Sequence, residues 1–187
     1  MITAQSIHPQ LQAIADEFNF ARARLHALAH AVPAEKWPVR RDPARWSVGE
    51  CVAHLNLTGQ AYSEILHDAI TSAPRPVASG PWPGRYRRDF WGWLLWKSMP
   101  PPVRIKVKTI ASFIPESVAP VDALVAEFEK WQKLQLDFLI AADGLPLNSI
   151  RVTSPFNAKL KYNLYSCFSI LPAHQHRHLW QAEQVWR

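Results

Sequence analysis

The sequence predicts an all-α protein, a four-helix bundle in a single domain that covers residues 1–187. Four long segments repeat apolar residues at three- and four-residue steps, and alternating strand-like stretches are scarce. Apolar residues make up 48% of the chain and charged residues 19%, a composition typical of a folded globular protein. A chain of 187 residues is also long enough to bury one sizeable core.

The first helix is predicted from about His8 to about Ala31. Ser6 is a suitable N-cap, Pro9 suits the first turn, and Pro33 ends the helix. One apolar stripe runs along it, formed by Leu11, Ile14, Ala15, Phe18, Ala21, Leu25 and Leu28. We therefore expect this stripe to face the core.

The second helix is predicted to begin after Ser47 and to run to about Thr71. Ser47 with Glu50 three residues later forms the pattern of a capping box. The apolar stripe consists of Val48, Cys51, Val52, Leu55, Tyr62, Ile65 and Leu66. His54 lies one position from this stripe, so we expect its imidazole near the core.

A long connection, from Ala73 to Pro120, separates the second and third helices. Bundle helices are usually joined by about two to eight residues, so this segment is predicted to cross over the bundle or its open end. Within it we expect a Pro-rich loop over Pro74–Pro83, a short helix over Arg85–Met99, a stop at Pro100–Pro102 and an extended stretch over Val103–Glu116. Its aromatic residues are expected to pack against the bundle and so bury the segment. In the alternative, some of them also line a pocket.

The third helix is predicted over Val121–Ala142, with Asp143–Gly144 as its C-terminal stop. A connection follows over Leu145–Lys161. The fourth helix begins near Tyr162 and runs to the end of the chain, with Pro172 inside it. Proline lacks the backbone N–H that continues a helix, so we expect a kink there.

The candidate functional residues are histidines. His174 and His178 stand four apart, so on a helix both imidazoles leave the same face and can bind one metal ion. His54 on the second helix is the natural third ligand, because facing helices of a bundle build such sites. His176 points elsewhere, to the surface or to a position behind the ligands. Three neutral imidazoles suit Zn²⁺, Ni²⁺, Co²⁺ or Fe²⁺, and the sequence does not choose among them.

Two alternatives remain open at this point. A lone histidine near a core is usually a hydrogen-bonded structural residue, and His26 with His30 forms a second pair at the same spacing. That pair has little apolar bulk beside it, which indicates exposure. Glu50 lies one turn before His54 and can either orient its imidazole or serve only in the cap, with the cap favoured by the spacing.

Charge, cysteines and hydropathy limit the possible partners. The net charge is +6, but the basic residues are spread along the chain apart from two groups near Arg85–Arg88 and Lys97–Lys108. Nucleic-acid binding is therefore not expected. The most apolar window, Phe90–Met99, is about half the length of a membrane-spanning helix, and no signal peptide is evident. Cys51 and Cys167 indicate buried reduced thiols. Together these features predict a cytoplasmic protein without a membrane partner.

Three motifs together resemble the DinB-like superfamily of metalloenzymes, in the branch with a long Pro- and aromatic-rich crossover. They are Trp46–Leu55, Ser154–Phe156 and His174–Gln181, and the resemblance extends from about Ala13 to Arg187. Each motif is modest alone, but their order and spacing are fairly specific.

The resemblance implies an antiparallel four-helix bundle that holds a divalent metal, often zinc or nickel. One ligand comes from the second helix and a pair from the fourth, which carries over to His54, His174 and His178. Gln181 matches the Gln that follows the last His of the pattern. Homodimers are common in this superfamily.

Activity is less uniform among such proteins. Some look like thiol-dependent S-transferases or isomerases that use a low-molecular-weight thiol, and others are described as hydrolases. The leading hypothesis is therefore a metal-dependent enzyme that adds a thiol to a small electrophile, in a pocket roofed by aromatic residues of Arg85–Phe113. The alternatives are a metal-dependent hydrolase and a non-catalytic metal-binding bundle whose crossover is an interaction surface.

Overall fold

The computed structural model describes residues 7–74, 84–102 and 109–187. The chain is mostly helical, as predicted, with one small antiparallel sheet. The elements in order are α1 (Pro9–Ala31), α2 (Val48–Thr71), α3 (Phe90–Ser98), α4 (Val121–Ala141), β1 (Arg151–Ser154), β2 (Asn157–Asn163) and α5 (Leu164–Trp186). Two short 3-10 turns, Ala34–Lys36 and Ala111–Phe113, lie in the connections.

The N-cap of α1 is His8 rather than Ser6, which lies outside the described residues. The His8 Nδ1 atom accepts the backbone N–H of Gln10 at 3.1 Å. Pro9 occupies the first helical position, where its missing N–H costs nothing. The predicted apolar stripe of α1 is buried along its whole length.

The capping box of α2 is confirmed. The Ser47 hydroxyl accepts the N–H of Glu50 at 3.1 Å, and the Glu50 carboxylate accepts the N–H of Ser47 at 2.7 Å. Two otherwise unpaired backbone donors are thereby satisfied. This start sets the rotation of the first turns of α2, and it leaves His54 on the buried side.

The four long helices pack on one another. α1 and α2 each contact both α4 and α5, while α3 lies against α5 and β2. Apolar side chains fill the space between them, including Phe18, Leu66 and Leu139. Cys51 and Cys167 are both buried and free, as predicted. No helix within the described residues is long and apolar enough to span a membrane.

The prediction for Leu145–Lys161 was incomplete, because this connection contains a β-hairpin. β1 pairs antiparallel with β2, Val152 opposite Tyr162, and the register shifts between Thr153 and Ser154. The strands have four and seven residues, and most of β2 is exposed, so the apolar alternation that reveals a strand is weak. β2 runs directly into α5, which is capped by Asn163.

The aromatic short helix exists but differs from the prediction. α3 begins at the Asp89 cap rather than at Arg85. The expectation that its aromatic residues are buried is wrong for Phe90, Trp91 and Trp93, which are 66%, 51% and 41% exposed. Gly92 has no room for a side chain, because a Cβ there would lie 2.0 Å from the Ser166 hydroxyl oxygen of α5.

Two further predictions are tested only in part. The extended stretch predicted over Val103–Glu116 falls partly outside the described residues, and its remainder contains the Ala111–Phe113 turn. α5 continues through Pro172 as one helix. The kink expected at that proline stays a prediction.

Candidate metal centre

α2 and α5 bring the three predicted histidines together. The His174 Nε2 atom lies 3.4 Å from His54 Nε2 and 3.0 Å from His178 Nε2. All three candidate ligand atoms lie within 4.8 Å of one another. The pair on α5 meets because positions four apart share a face, and His54 meets it because α2 packs against α5.

A backbone carbonyl orients His54. Its Nδ1 lies 2.7 Å from the carbonyl oxygen of Phe113, and because a carbonyl only accepts, His54 donates through Nδ1–H. The Nε2 atom, which faces the other imidazoles, therefore carries the lone pair. This is the arrangement by which proteins orient a metal-binding imidazole. Phe113 belongs to the crossover, so the long connection helps to build the site.

Aromatic rings surround the three imidazoles. The Trp46 ring lies 4.9 Å from His54 and 5.9 Å from His178, centroid to centroid. Phe156, from the turn of the hairpin, lies 6.3 Å from His54 and 6.0 Å from His174. These rings exclude water from most of the cluster, which strengthens electrostatic interactions inside it.

Burial keeps the three imidazoles neutral. It lowers the pKa of His54 to about 4, against the opposing effect of the Phe113 carbonyl. It also lowers the pKa of His174 and of His178 well below the usual value, with additional repulsion from neighbouring positive charge. Metal binding requires neutral imidazole, so this environment suits ligands near neutral pH.

The donor set fits a divalent transition metal. Two nitrogens bound to one tetrahedral Zn²⁺ at roughly 2.0–2.1 Å lie about 3.3 Å apart. The His174 Nε2 atom lies 3.4 Å from His54 Nε2 and 3.0 Å from His178 Nε2, on either side of that value. A proton on His174 Nε2 can satisfy only one of its two neighbours, whereas a cation attracts all three nitrogens. The cluster can therefore hold a metal ion.

Of the two residues predicted to support the ligands, Gln181 acts on the cluster and Glu50 does not. The Gln181 side chain raises the pKa of His178, a smaller effect than that of burial. Its geometry falls short of a regular hydrogen bond, because His178 Nδ1 is buried without such a partner. Glu50 does not orient His54. Its carboxylate is held by Ser47 and by the Arg40 guanidinium, and the Phe113 carbonyl takes the role considered for it.

The cluster is least buried at His174. His54 and His178 are buried, whereas His174 is only partly so. Arg177 stands near this side, and its positive charge lowers the pKa of both His174 and His178. Its guanidinium donates to the carbonyl of Ser98 at the end of α3, at 3.0 Å.

The remaining histidine candidates lie away from the cluster. His176 turns toward α1, where its Nδ1 lies 3.0 Å from Arg24 Nη1 and its Nε2 lies 3.0 Å from Glu17 Oε2. His26 is exposed and lies 2.8 Å from Glu129, and His30 is exposed as well. The rival pair is thus a surface feature, as its weak apolar surroundings indicated.

Sequence reasoning missed several parts of the site. A backbone carbonyl such as that of Phe113 leaves no sequence signal, and neither Trp46 nor Phe156 was identified as lining the imidazoles. Both belong to motifs that were noticed for other reasons. Of the region predicted to roof a pocket, Phe113 lies beside the cluster, with its ring 6.4 Å from that of His54, whereas the exposed rings of α3 turn outward. The roofed pocket itself stays a prediction.

The part of the chain that contains this cluster matches a known family. The DinB superfamily matches residues 17–182, most of the chain. The chain belongs to the DinB superfamily. No curated protein and no solved structure matches it. The match includes all three histidines of the cluster, so this DinB protein has its candidate metal centre within the part of the chain that defines the family.

Proposed function

We propose that this DinB protein is a metal-dependent enzyme whose divalent ion is held by His54, His174 and His178. The observation that carries the proposal is the convergence of three imidazole nitrogens in a buried cluster. Nickel and zinc are the first candidates, because neutral imidazole ligands suit both. Gln181 would assist by contact with His178.

Three neutral ligands leave the charge of the ion uncompensated, and a divalent metal bound there would supply Lewis acidity that favours a thiolate or a hydroxide. The chain's own residues do the rest. Phe113 fixes the tautomer of His54, and the rings of Trp46 and Phe156 keep water from the buried side. Arg177, at the partly open side, is placed to bind an anionic group of a substrate or thiol.

The favoured reaction is the addition of a low-molecular-weight thiol to a small electrophile. The thiol gives up its proton to solvent, and its sulfur forms a bond to the electrophilic carbon as the π bond of the electrophile breaks. The displaced electron pair then takes up a proton from solvent, which completes the addition. Proton-transfer chemistry needs a free general base. Glu50, the carboxylate nearest to His54 in sequence, is bound by Arg40 and Ser47, which supports thiol addition instead. A thiol of low effective pKa needs no protein base.

A metal-dependent hydrolase is the second candidate, since the same ion can activate water. One requirement, that for a thiol, distinguishes the two reactions. The transferase consumes a thiol in step with the electrophile, whereas the hydrolase acts without any thiol. A non-catalytic metal-binding protein is the third possibility, in which loss of metal changes stability and nothing else.

We also infer the fold and the oligomeric state of this enzyme. The contacts of α1 and α2 with both α4 and α5 support an antiparallel four-helix bundle in one domain of residues 1–187. A cytoplasmic homodimer is the expected form. Sedimentation equilibrium tests the assembly, and a monomer at all concentrations contradicts it.

The proposed function is tested by turnover with a model electrophile and a small thiol. We expect thiol consumption by the metal-loaded protein, its loss after treatment with a chelator, and its return when Zn²⁺ or Ni²⁺ is added. His178→Ala should be inactive under all three conditions, while Gln132→Leu serves as the control for a buried polar change outside the cluster. Turnover that survives the chelator, or that His178→Ala retains, contradicts the proposal.

A further inference from the structure

The exposed face of α3 is unusually apolar. Four large hydrophobic residues of this nine-residue helix are exposed, Phe90, Trp91, Trp93 and Leu94, with exposed fractions from 41% to 66%. At 100° per residue they share one continuous arc with Lys97, while Gly92 and Trp96 fall on the opposite side. Contiguous apolar patches of this kind mark an interaction site.

The apolar face is held rigidly from behind. Gly92 lies in close contact with Ser166, and the Asp89 cap accepts a hydrogen bond from the Ser166 hydroxyl at 3.0 Å. On the same side the Arg88 guanidinium lies 3.9 Å from the centre of the Trp96 ring. The helix therefore presents its outer face in a fixed orientation, so its exposure is a built feature of the fold.

The described segment that contains this helix is positively charged. Residues 84–102 contain four Lys and Arg and one Asp, a formal charge of +3. Arg85, Arg87 and Lys97 are exposed at the two ends of α3. The single acidic residue, Asp89, is neutralised by Arg151, whose Nη1 lies 2.5 Å from its carboxylate. Arg85, Arg87 and Lys97 belong to the two basic groups that stand apart from the dispersed ones in the sequence.

We propose that α3 docks this protein on an anionic phospholipid surface. A helix that lies on a bilayer, rather than across it, typically carries Trp, Phe and Leu on one face and Lys and Arg at the rim of that face. The basic flanks supply attraction to acidic lipid headgroups. The expectation of no membrane partner came from the shortness of the most apolar window. That expectation and the lack of a spanning helix in the described residues concern only insertion across the bilayer.

Charge argues against a second copy of the chain as the occupant of this face. A twofold dimer through α3 would place the basic rim of one protomer against the same rim of the other. Nucleic acid would satisfy the charge, but Leu94, near the centre of the arc, has no ring on which a base can stack. An anionic lipid bilayer matches both features, because its acidic headgroups attract the basic rim and its acyl chains accept the apolar centre of the face.

Flotation of the full-length protein with lipid vesicles tests the proposal. The vesicles contain either phosphatidylcholine alone or phosphatidylcholine with about 30% phosphatidylglycerol, and binding is measured at low and high salt. We expect binding to the anionic vesicles only, weakened by salt. Phe90→Ser should bind about tenfold more weakly, because one buried Phe side chain is lost from the interface.

The matched control is Phe20→Ser. Phe20 is an equally exposed phenylalanine, 60% exposed on the surface of α1, away from the basic segment. This variant should bind like the wild-type protein, and Lys97→Glu should lose binding to anionic vesicles. Circular dichroism of each variant verifies that it is folded.

Four results would overturn the proposal. They are failure of the wild-type protein to float with anionic vesicles, equal loss of binding in Phe20→Ser and Phe90→Ser, conversion of a dimer to a monomer by Phe90→Ser, and Phe90-dependent binding to a single-stranded oligonucleotide without vesicle binding. The metal proposal is independent of all four. His54→Ala should still bind vesicles.

Discussion

Two groups of buried polar side chains share the same helices but differ in how their atoms are satisfied. In the first group, Gln132 donates to the Phe18 carbonyl at 2.8 Å and to the Gln175 side-chain oxygen at 3.0 Å. Gln175 donates to Gln135 at 3.5 Å, and Gln135 donates to the Gly59 carbonyl at 3.3 Å. This glutamine network connects α1, α2, α4 and α5.

The second group is the histidine cluster, one residue away along α5. Its nitrogens face one another at 3.0 and 3.4 Å, and the Nδ1 atom of His178 has no regular hydrogen bond. A buried polar group that is satisfied adds to stability, whereas one that is not costs free energy. The comparison favours a structural role for the glutamines and supports the proposed ligand role of the histidines, although burial alone does not distinguish them.

The largest expected effect on folding comes from the glutamine network. Gln132→Leu removes the donor to both Phe18 and Gln175 and should lower the free energy of unfolding by about 3 kcal/mol. Urea denaturation measures the loss, and metal binding should be unchanged. A loss below about 1 kcal/mol would mean that the network is not structural.

Addition of metal should stabilise the protein by an amount of similar size. Ligand at 100 times its dissociation constant adds about 2.7 kcal/mol to the free energy of unfolding. We expect this increment for Zn²⁺ or Ni²⁺ with the wild-type protein and none with His178→Leu. In the metal-free state, His178→Leu should be within about 1 kcal/mol of wild type, because it removes a buried nitrogen without a regular partner. A destabilisation as large as that of Gln132→Leu would place His178 in the structural group.

The smallest expected effect concerns Glu50, a buried carboxylate that is fully engaged. Arg40 is the main cause that holds its pKa below the ordinary value, so the unfolded state binds the proton more tightly than the folded state. Its contribution is present above the unfolded pKa, about 4.5, and is lost as pH falls through the lower folded pKa.

Glu50→Gln should therefore cost about 1 kcal/mol at pH 7 and nothing at the lowest pH at which both proteins fold. Urea denaturation across that pH range measures the difference. Metal content should be unaffected, because Glu50 contacts Arg40 and Ser47 rather than His54. A variant that folds normally but binds no metal would show that Glu50 supports the cluster after all.

Features that are encoded locally could be predicted from the sequence. The long helices α1, α2, α4 and α5 carry amphipathic stripes, and the Ser47–Glu50 capping box is a local pattern. The spacing of His174 and His178 places both on one face of α5 without knowledge of the fold. The third ligand, His54, required only the assumption that α2 is a neighbour.

Features that depend on distant backbone could not be predicted. The Phe113 carbonyl that orients His54 is separated from it by a connection whose course the sequence does not state. Likewise, β1 has only four residues and most of β2 is exposed, so the apolar alternation of the hairpin is weak in the sequence. The outward face of α3 was expected only in the non-catalytic alternative, because aromatic side chains are ordinarily assigned to a core, and an interaction surface looks the same in sequence.

The most direct measurement is the metal content of the protein, purified without an affinity tag or chelator, beside His54→Ala, His174→Ala and Gln132→Leu. The account predicts about one zinc or nickel per chain in the wild-type protein and in Gln132→Leu, and none in either histidine variant. Absence of metal from the wild-type protein, with no uptake when Zn²⁺ or Ni²⁺ is added, would contradict the three-histidine site and the enzyme built on it.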